Sequence, residues 1–194
     1  MKRVELSEIK NIFEYEKLRN EYRKRIIDLK KKRRLFAGDR ISFLFENHDT
    51  VLSQIQEMMR AERMVEDQVI QHEIDIYNGL LPDENELSAT FFIEIIEEGE
   101  IKPWLDKLHG IDNGTCVWME VENEKVFAIF EEGHSNEVKL SSVHYIRFRL
   151  SLKAKEIFCD PKKSVFLIVQ HPAYQVKTEI SGETRQQLID DLIH

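Results

Sequence analysis

The chain has 194 residues with 28 basic and 36 acidic side chains, a net charge of −8, and 42% hydrophobic and 33% charged residues. Those proportions supply a core for one domain, argue against long disordered stretches and exclude bulk affinity for nucleic acid. No run reaches the roughly 18 apolar residues of a membrane span, MKRVELSEIKNIF lacks the apolar run of a signal, and Cys116 and Cys159 stand apart, so a cytoplasmic protein without a disulfide framework or thiolate zinc site is expected.

In chain order, Ser7 is placed to cap a helix over 8–34, with Ile9, Ile12, Phe13, Leu18, Tyr22, Ile26 and Leu29 at helical spacing and Gly38 ending it. RISFLFE alternates and predicts a strand. Asn47 or Asp49 can cap a helix over about 50–64, and a second helix is expected over about 66–80, stopped by Gly79 and Pro82. Beyond Pro82 the period changes to two. ELSATFFIEI predicts a strand, and KPWLDKLHG a short helix with Pro103 near its first turn. CVWMEV and KVFAIFEE flank Glu122–Asn123–Glu124 as a hairpin, and SSVHYIRFRL reads as a strand. KAKEIF then predicts a helical turn, SVFLIVQ a strand and 183–193 a helix. The expected fold is α+β: a single domain over 1–194, with a helical part and one strand over 1–81 and a mostly antiparallel sheet with short helices over 82–194.

Charge is unevenly spread. Nine basic residues between Arg23 and Arg40 face two acidic ones, whereas fifteen acidic residues between Asp83 and Glu137 face three lysines. The run Lys30, Lys31, Lys32, Arg33 and Arg34 is either a solvated helix end, where cations complement the helix dipole, or a docking site for an acidic partner, a phosphate or a second copy of this chain.

Two glutamates break the helical pattern. At about 100° per residue, Val51, Ile55, Met58 and Val65 form a stripe with Glu62 in its middle, and Glu73 falls within the broad apolar face of the following helix. If the link at 64–66 reverses the chain, both lie near one interface. A buried carboxylate needs a partner, so each either meets a basic side chain, caps a backbone group or lies at the rim of the face, or the two bind a metal or act as acid and base. His144 shares a face with Ile146, Phe148 and Leu150, and His171 continues the face of Val165, Leu167 and Val169. Each reads either as a hydrogen-bonded core histidine or as a ligand. Together with Glu62 and Glu73 they would satisfy a non-haem iron or manganese site if the fold converges them. His48, at the mouth of the first central helix, is a further candidate, and His134 reads as a turn residue.

No Gly-rich phosphate loop, nucleophile elbow or His-Glu-x-x-His motif is present. The blocks QIQEMMRAERMVEDQVIQHEIDIYN, NELSATFFIEI, FEEGHS and HPAY, in that order, resemble an uncharacterised bacterial family, domain of unknown function family 3501. Because genes of that family often neighbour rubrerythrin-like diiron proteins and iron–sulfur or flavin-linked oxidoreductases, the resemblance implies a role in redox metabolism or peroxide defence. It assigns no residue a role, but it marks 54–78 and 171–174 as places to look.

Two functions are therefore expected in competition. One is a non-catalytic accessory protein acting through such a redox partner. The other is a small iron- or manganese-dependent redox protein using Glu62, Glu73, His144 and His171. Convergence of those four side chains distinguishes them. A nucleic-acid regulator, lacking a recognition helix in an acidic chain, is the least favoured reading.

Overall fold

The alternating stretches pair as their pattern requires, in the computed structural model, which describes residues 1–131, 133 and 140–193. Strands β1 (Arg34–Ala37), β2 (Ile41–Phe45), β3 (Glu86–Ile93), β6 (Ile129–Phe130) and β7 (Val143–Arg149) form one antiparallel sheet in the order β1-β2-β3-β7-β6. A second has the order β5-β4-β8-β9, from β4 (Val117–Val121), β5 (Glu124–Phe127), β8 (Val165–His171) and β9 (Tyr174–Glu179). With helices α1 (Ile12–Lys32), α2 (His48–Ala61), α3 (Asp67–Asn78), α4 (Glu98–Lys107), α5 (Leu152–Cys159) and α6 (Gly182–Ile193), the architecture is the α+β fold that the sequence implies. No helix among the described residues is long and apolar enough to cross a membrane.

The two sheets share one apolar core. Phe43, Phe45, Phe91 and Ile93 of the first meet Val117, Met119, Val121, Leu167 and Val169 of the second. Each large side chain so buried contributes about 1.5–3 kcal/mol. A smaller core of Val4, Val51, Ile55, Met59, Ile70, Ile74 and Leu81 lies in the helical part. Between the two runs the outward face of the first sheet, which is buried but polar. Glu46 is 2% exposed and accepts hydrogen bonds from Thr90 Oγ1 and Thr50 Oγ1, both at 2.5 Å, and from Gln54 Nε2 at 3.1 Å. Ser88 Oγ donates to Leu80 O at 2.6 Å, and Glu86 pairs with Arg147 and, at 2.9 Å, with Arg149.

Three boundaries differ from the sequence reading. The first helix starts at Ile12, not near Ser7, because Gln56 takes both the N–H (2.9 Å) and the C=O (2.8 Å) of Lys10, and Asn11 Oδ1 accepts the Glu14 N–H at 3.0 Å as the cap. It ends at Lys32, because Arg33 and Arg34 enter the sheet region. Arg33, 1% exposed, donates to Phe45 O at 2.9 Å and Glu46 O at 3.1 Å and pairs with Asp191 of α6. Burial pushes the Asp191 carboxyl up despite the guanidinium beside it. Helix α4 begins at Glu98, which leaves Pro103 in its interior. Strand β9 is an addition to the expected elements; it follows a turn at Pro172–Ala173 and pairs with β8. The stretch KVFAIFEE divides, β5 remaining with the second sheet and β6 joining the first.

Gly38 belongs to the β1–β2 turn rather than to a helix end, with φ +73°. Tyr174 Oη lies where its Cβ would be, 2.2 Å away, and donates to Ala37 O at 2.7 Å. Gly38→Ala should therefore cost about 2 kcal/mol or more, from left-handed strain and the clash. Tyr174→Phe should cost about 1 kcal/mol. In the Tyr174→Phe background the glycine substitution should be less harmful, because the obstructing oxygen is gone. Urea unfolding of the double-mutant cycle checks this; strictly additive losses would contradict the packing argument.

Candidate functional site

A cleft of about 1070 Å³ opens in the helical part. One wall is the segment around Leu6, Ile9, Ile12 and Phe13; the other is the end of α2 and the start of α3, with Met59, Met64, Val65 and Ile70. Its rim carries Glu16, Arg60, Arg63 and Asp67.

The first wall is a 3-10 turn at Leu6–Glu8, a short link and the first turn of α1, and side chains of α2 and α3 hold it. Asn78 grips Val4 twice: its Oδ1 accepts the backbone N–H at 2.9 Å and its Nδ2 donates to the C=O at 3.0 Å. Gln56 grips Lys10 in the same way. Glu57 accepts from Tyr15 Oη at 2.7 Å and from Arg19 Nη2 at 2.9 Å, and Arg60 pairs with Glu16. The chain reverses after α2 through Arg63, whose φ of 55° closes the turn. Phe13 and Val65 remain 83% and 75% exposed on opposite walls.

Electrostatics reinforce the clamp. Burial would raise the Glu8 carboxyl, but hydrogen bonds from Glu5 N–H, Lys2 and His48 outweigh it and hold it at about 2. At Glu57, burial is likewise outweighed by the hydrogen bonds of Arg19 and Tyr15, so its carboxyl is lowered as well. Burial, with the Glu57 carboxylate beside it, pushes the Tyr15 phenol up.

The structure does not bring the candidate metal ligands together. Glu62 is the C-cap of α2 and is exposed. Glu73 is half-buried, flanking the buried stripe of Ile70, Ile74 and Leu81, with its charge felt by Tyr77. His144 is buried in the sandwich between the rings of Phe91 and Phe130, its Nε2 2.8 Å from Ser141 O. His171 lies in the β8–β9 hairpin, Nδ1 accepting the Ala173 N–H and Nε2 facing His109 O, each at 3.2 Å. His48 sits 3.2 Å from Glu8 and 3.5 Å from Asp49, while Asn47 caps the helix. Among the described residues no group of three or more His, Cys, Asp and Glu side chains is placed to hold a metal ion. His134 lies outside the described residues.

The basic run is divided too. Lys31 pairs with Asp28 at 3.3 Å and Lys32 with Glu183 at 2.8 Å, while Lys30 is half-buried at the helix end. Arg33 is consumed inside the fold, and Arg34 donates to Ser42 Oγ at 2.8 Å and Glu94 at 2.7 Å. These two arginines are held by the chain itself. The block 171–174 is structural through Tyr174, whereas 54–78 supplies the amide clamps and one cleft wall. Residue-by-residue patterning missed Glu46 and both clamping amides. The signal for Glu46 was the alternation that puts Ser42, Glu46, Ser88 and Thr90 on one face.

Both Glu8 and Glu57 titrate lower in the folded protein than in the unfolded chain. The stability they provide is therefore complete above the ordinary value of 4.5 and is lost as pH falls from there, for Glu8 toward about 2. Acid should release the N-terminal wall before it opens the sandwich. Hydrogen-exchange protection at residues 4–15 should fall between about pH 4.5 and pH 2.5 while core strand amides stay protected. Simultaneous loss in both regions would refute a locally held wall.

The sequence model of a family described as a protein of unknown function, DUF3501, matches residues 3–192. The crystal structure of a novel protein of unknown function from Burkholderia pseudomallei K96243 is similar to this one, with a TM-score of 0.90 and 30% identity, over 98% of this chain and 100% of that chain. No curated protein matches.

Proposed function

Because the chain belongs to the DUF3501 family, whose description names no activity, we propose from the cleft geometry that it is a binding protein that takes an amphipathic helix of a protein partner into the cleft. The observation that carries this reading is the pair Phe13 and Val65, large apolar side chains left exposed on opposite walls of an already apolar hollow. A small molecule deep in the cleft would leave those rims in water. A helix laid along it would cover both, with apolar anchors at successive turns. Met59 and Met64 supply flexible, polarizable contacts suited to such a surface. The resemblance to a family associated with redox genes suggests the first partners to offer: a rubrerythrin-like protein or an iron–sulfur or flavin oxidoreductase.

A photo-crosslinking amino acid in place of Phe13, and separately in place of Val65, tests the reading in the native cell. Both positions should yield the same adduct. The purified partner should then bind the unmodified chain and lose about tenfold or more in affinity to Phe13→Asp, the effect expected of an interface anchor. Absence of a shared adduct, or undiminished affinity, would remove the cleft as the interface. Adducts of the chain with itself, with a dimer that Phe13→Asp dissociates, would overturn the partner reading in favour of self-association.

A further inference from the structure

A second site is built on the outward face of the other sheet. Val117, Met119 and Val121 point into the sandwich, so Trp118 between them faces away from it; yet it is only 5% exposed. The Phe127 ring lies beside it, centroids 5.8 Å apart, and the Lys125 ammonium sits 4.3 Å from its ring centroid. Among the described residues its indole Nε1 is buried without a hydrogen-bond partner. An indole N–H can only donate, and buried donors in folded proteins are nearly always satisfied. The missing acceptor marks a place where something from outside the chain belongs.

Beside this ring is a hollow of about 370 Å³, lined by Trp118, Lys125 and Phe127 with the amides of Gln170 and Gln175. Those two glutamines stand opposite each other across β8 and β9. Glu120, the cross-strand neighbour of Lys125, instead takes Lys177 at 2.6 Å, so Lys125 keeps its charge for a ligand. His171, also in the lining, has both ring nitrogens engaged by the backbone and serves as wall.

We propose that this hollow binds a small planar organic carboxylate. One carboxylate oxygen accepts the Trp118 indole N–H. The exposed Lys125 side chain swings off the ring to uncover that donor and carries its ammonium onto the same carboxylate, a charge-assisted contact. The planar part of the ligand lies against Phe127, and the glutamine amides meet its polar edge.

Benzoate is the probe, with benzamide as its neutral counterpart. The chain has two tryptophans, so a ¹H–¹⁵N spectrum shows two indole signals, and Trp118→Phe identifies the relevant one by deleting it. Benzoate should move that signal saturably toward the hydrogen-bonded range. Benzamide should bind about tenfold more weakly or worse, and Lys125→Met, at an exposed position, should weaken benzoate by a similar factor while the spectrum stays that of the folded chain. No saturable shift with benzoate, equal binding of benzamide, or unchanged affinity in Lys125→Met would each overturn the proposal.

Discussion

A sheet that is buried on both faces, but apolar on only one, is the constraint on which this molecule depends. The inward face of the β1-β2-β3-β7-β6 sheet needs nothing beyond close packing against the second sheet. The outward face carries Ser42, Glu46, Glu86, Ser88 and Thr90 out of solvent, and every such group requires a named partner. Glu86 and Ser42 find theirs within the sheet, in Arg147, Arg149 and Arg34, but others come from the helical part: Thr50 and Gln54 on Glu46, and Leu80 O on Ser88. Apolar contact tolerates sliding; hydrogen bonds of fixed length and direction do not. The polar layer thus indexes the helices on the sheet.

Arg33 does the same at the C-terminal end of β2. A guanidinium removed from water must satisfy its forked donors, and here it reaches two backbone carbonyls at the strand end and the carboxylate of Asp191. One side chain therefore decides where α1 stops, how β2 leaves the sheet and where α6 docks. The helical core beyond the polar layer is small, and its N-terminal edge is held by amides and ion pairs rather than by a wide apolar contact. Such an edge is the part of a fold expected to open first, and it forms one wall of the cleft. Attachment by few, directional contacts and an apolar hollow beside them suit a surface that admits a partner.

The contrast between the two candidate chemistries follows from the same layering. Glu62, Glu73, His144 and His171 belong to different layers: a solvent-facing turn, the flank of a helix, the interior of the sandwich and a hairpin of the second sheet. Each is settled by its own neighbours. Trp118 is the opposite case, a buried donor that its own layer leaves unsatisfied.

Local patterning was enough for much of the fold. Period-two runs such as ISFLF, ELSATFFI and VFLIVQH became strands, because alternation suits one face to a core whatever lies on the other. Asn47 was legible as a cap because its bond to Thr50 spans three residues. What could not be read were outcomes that depend on distant chain. Asn11 caps α1 because Gln56, far along the sequence, first captures Lys10. Glu46 is buried and Phe13 exposed because of what packs, or does not pack, against them. The sequence by itself determined most of the elements and the α+β class, since these rest on periodicity and short-range hydrogen bonds. The polar layer, the cleft and the orphaned indole were decided only by tertiary structure, since burial and satisfaction belong to pairs of residues brought together from far apart.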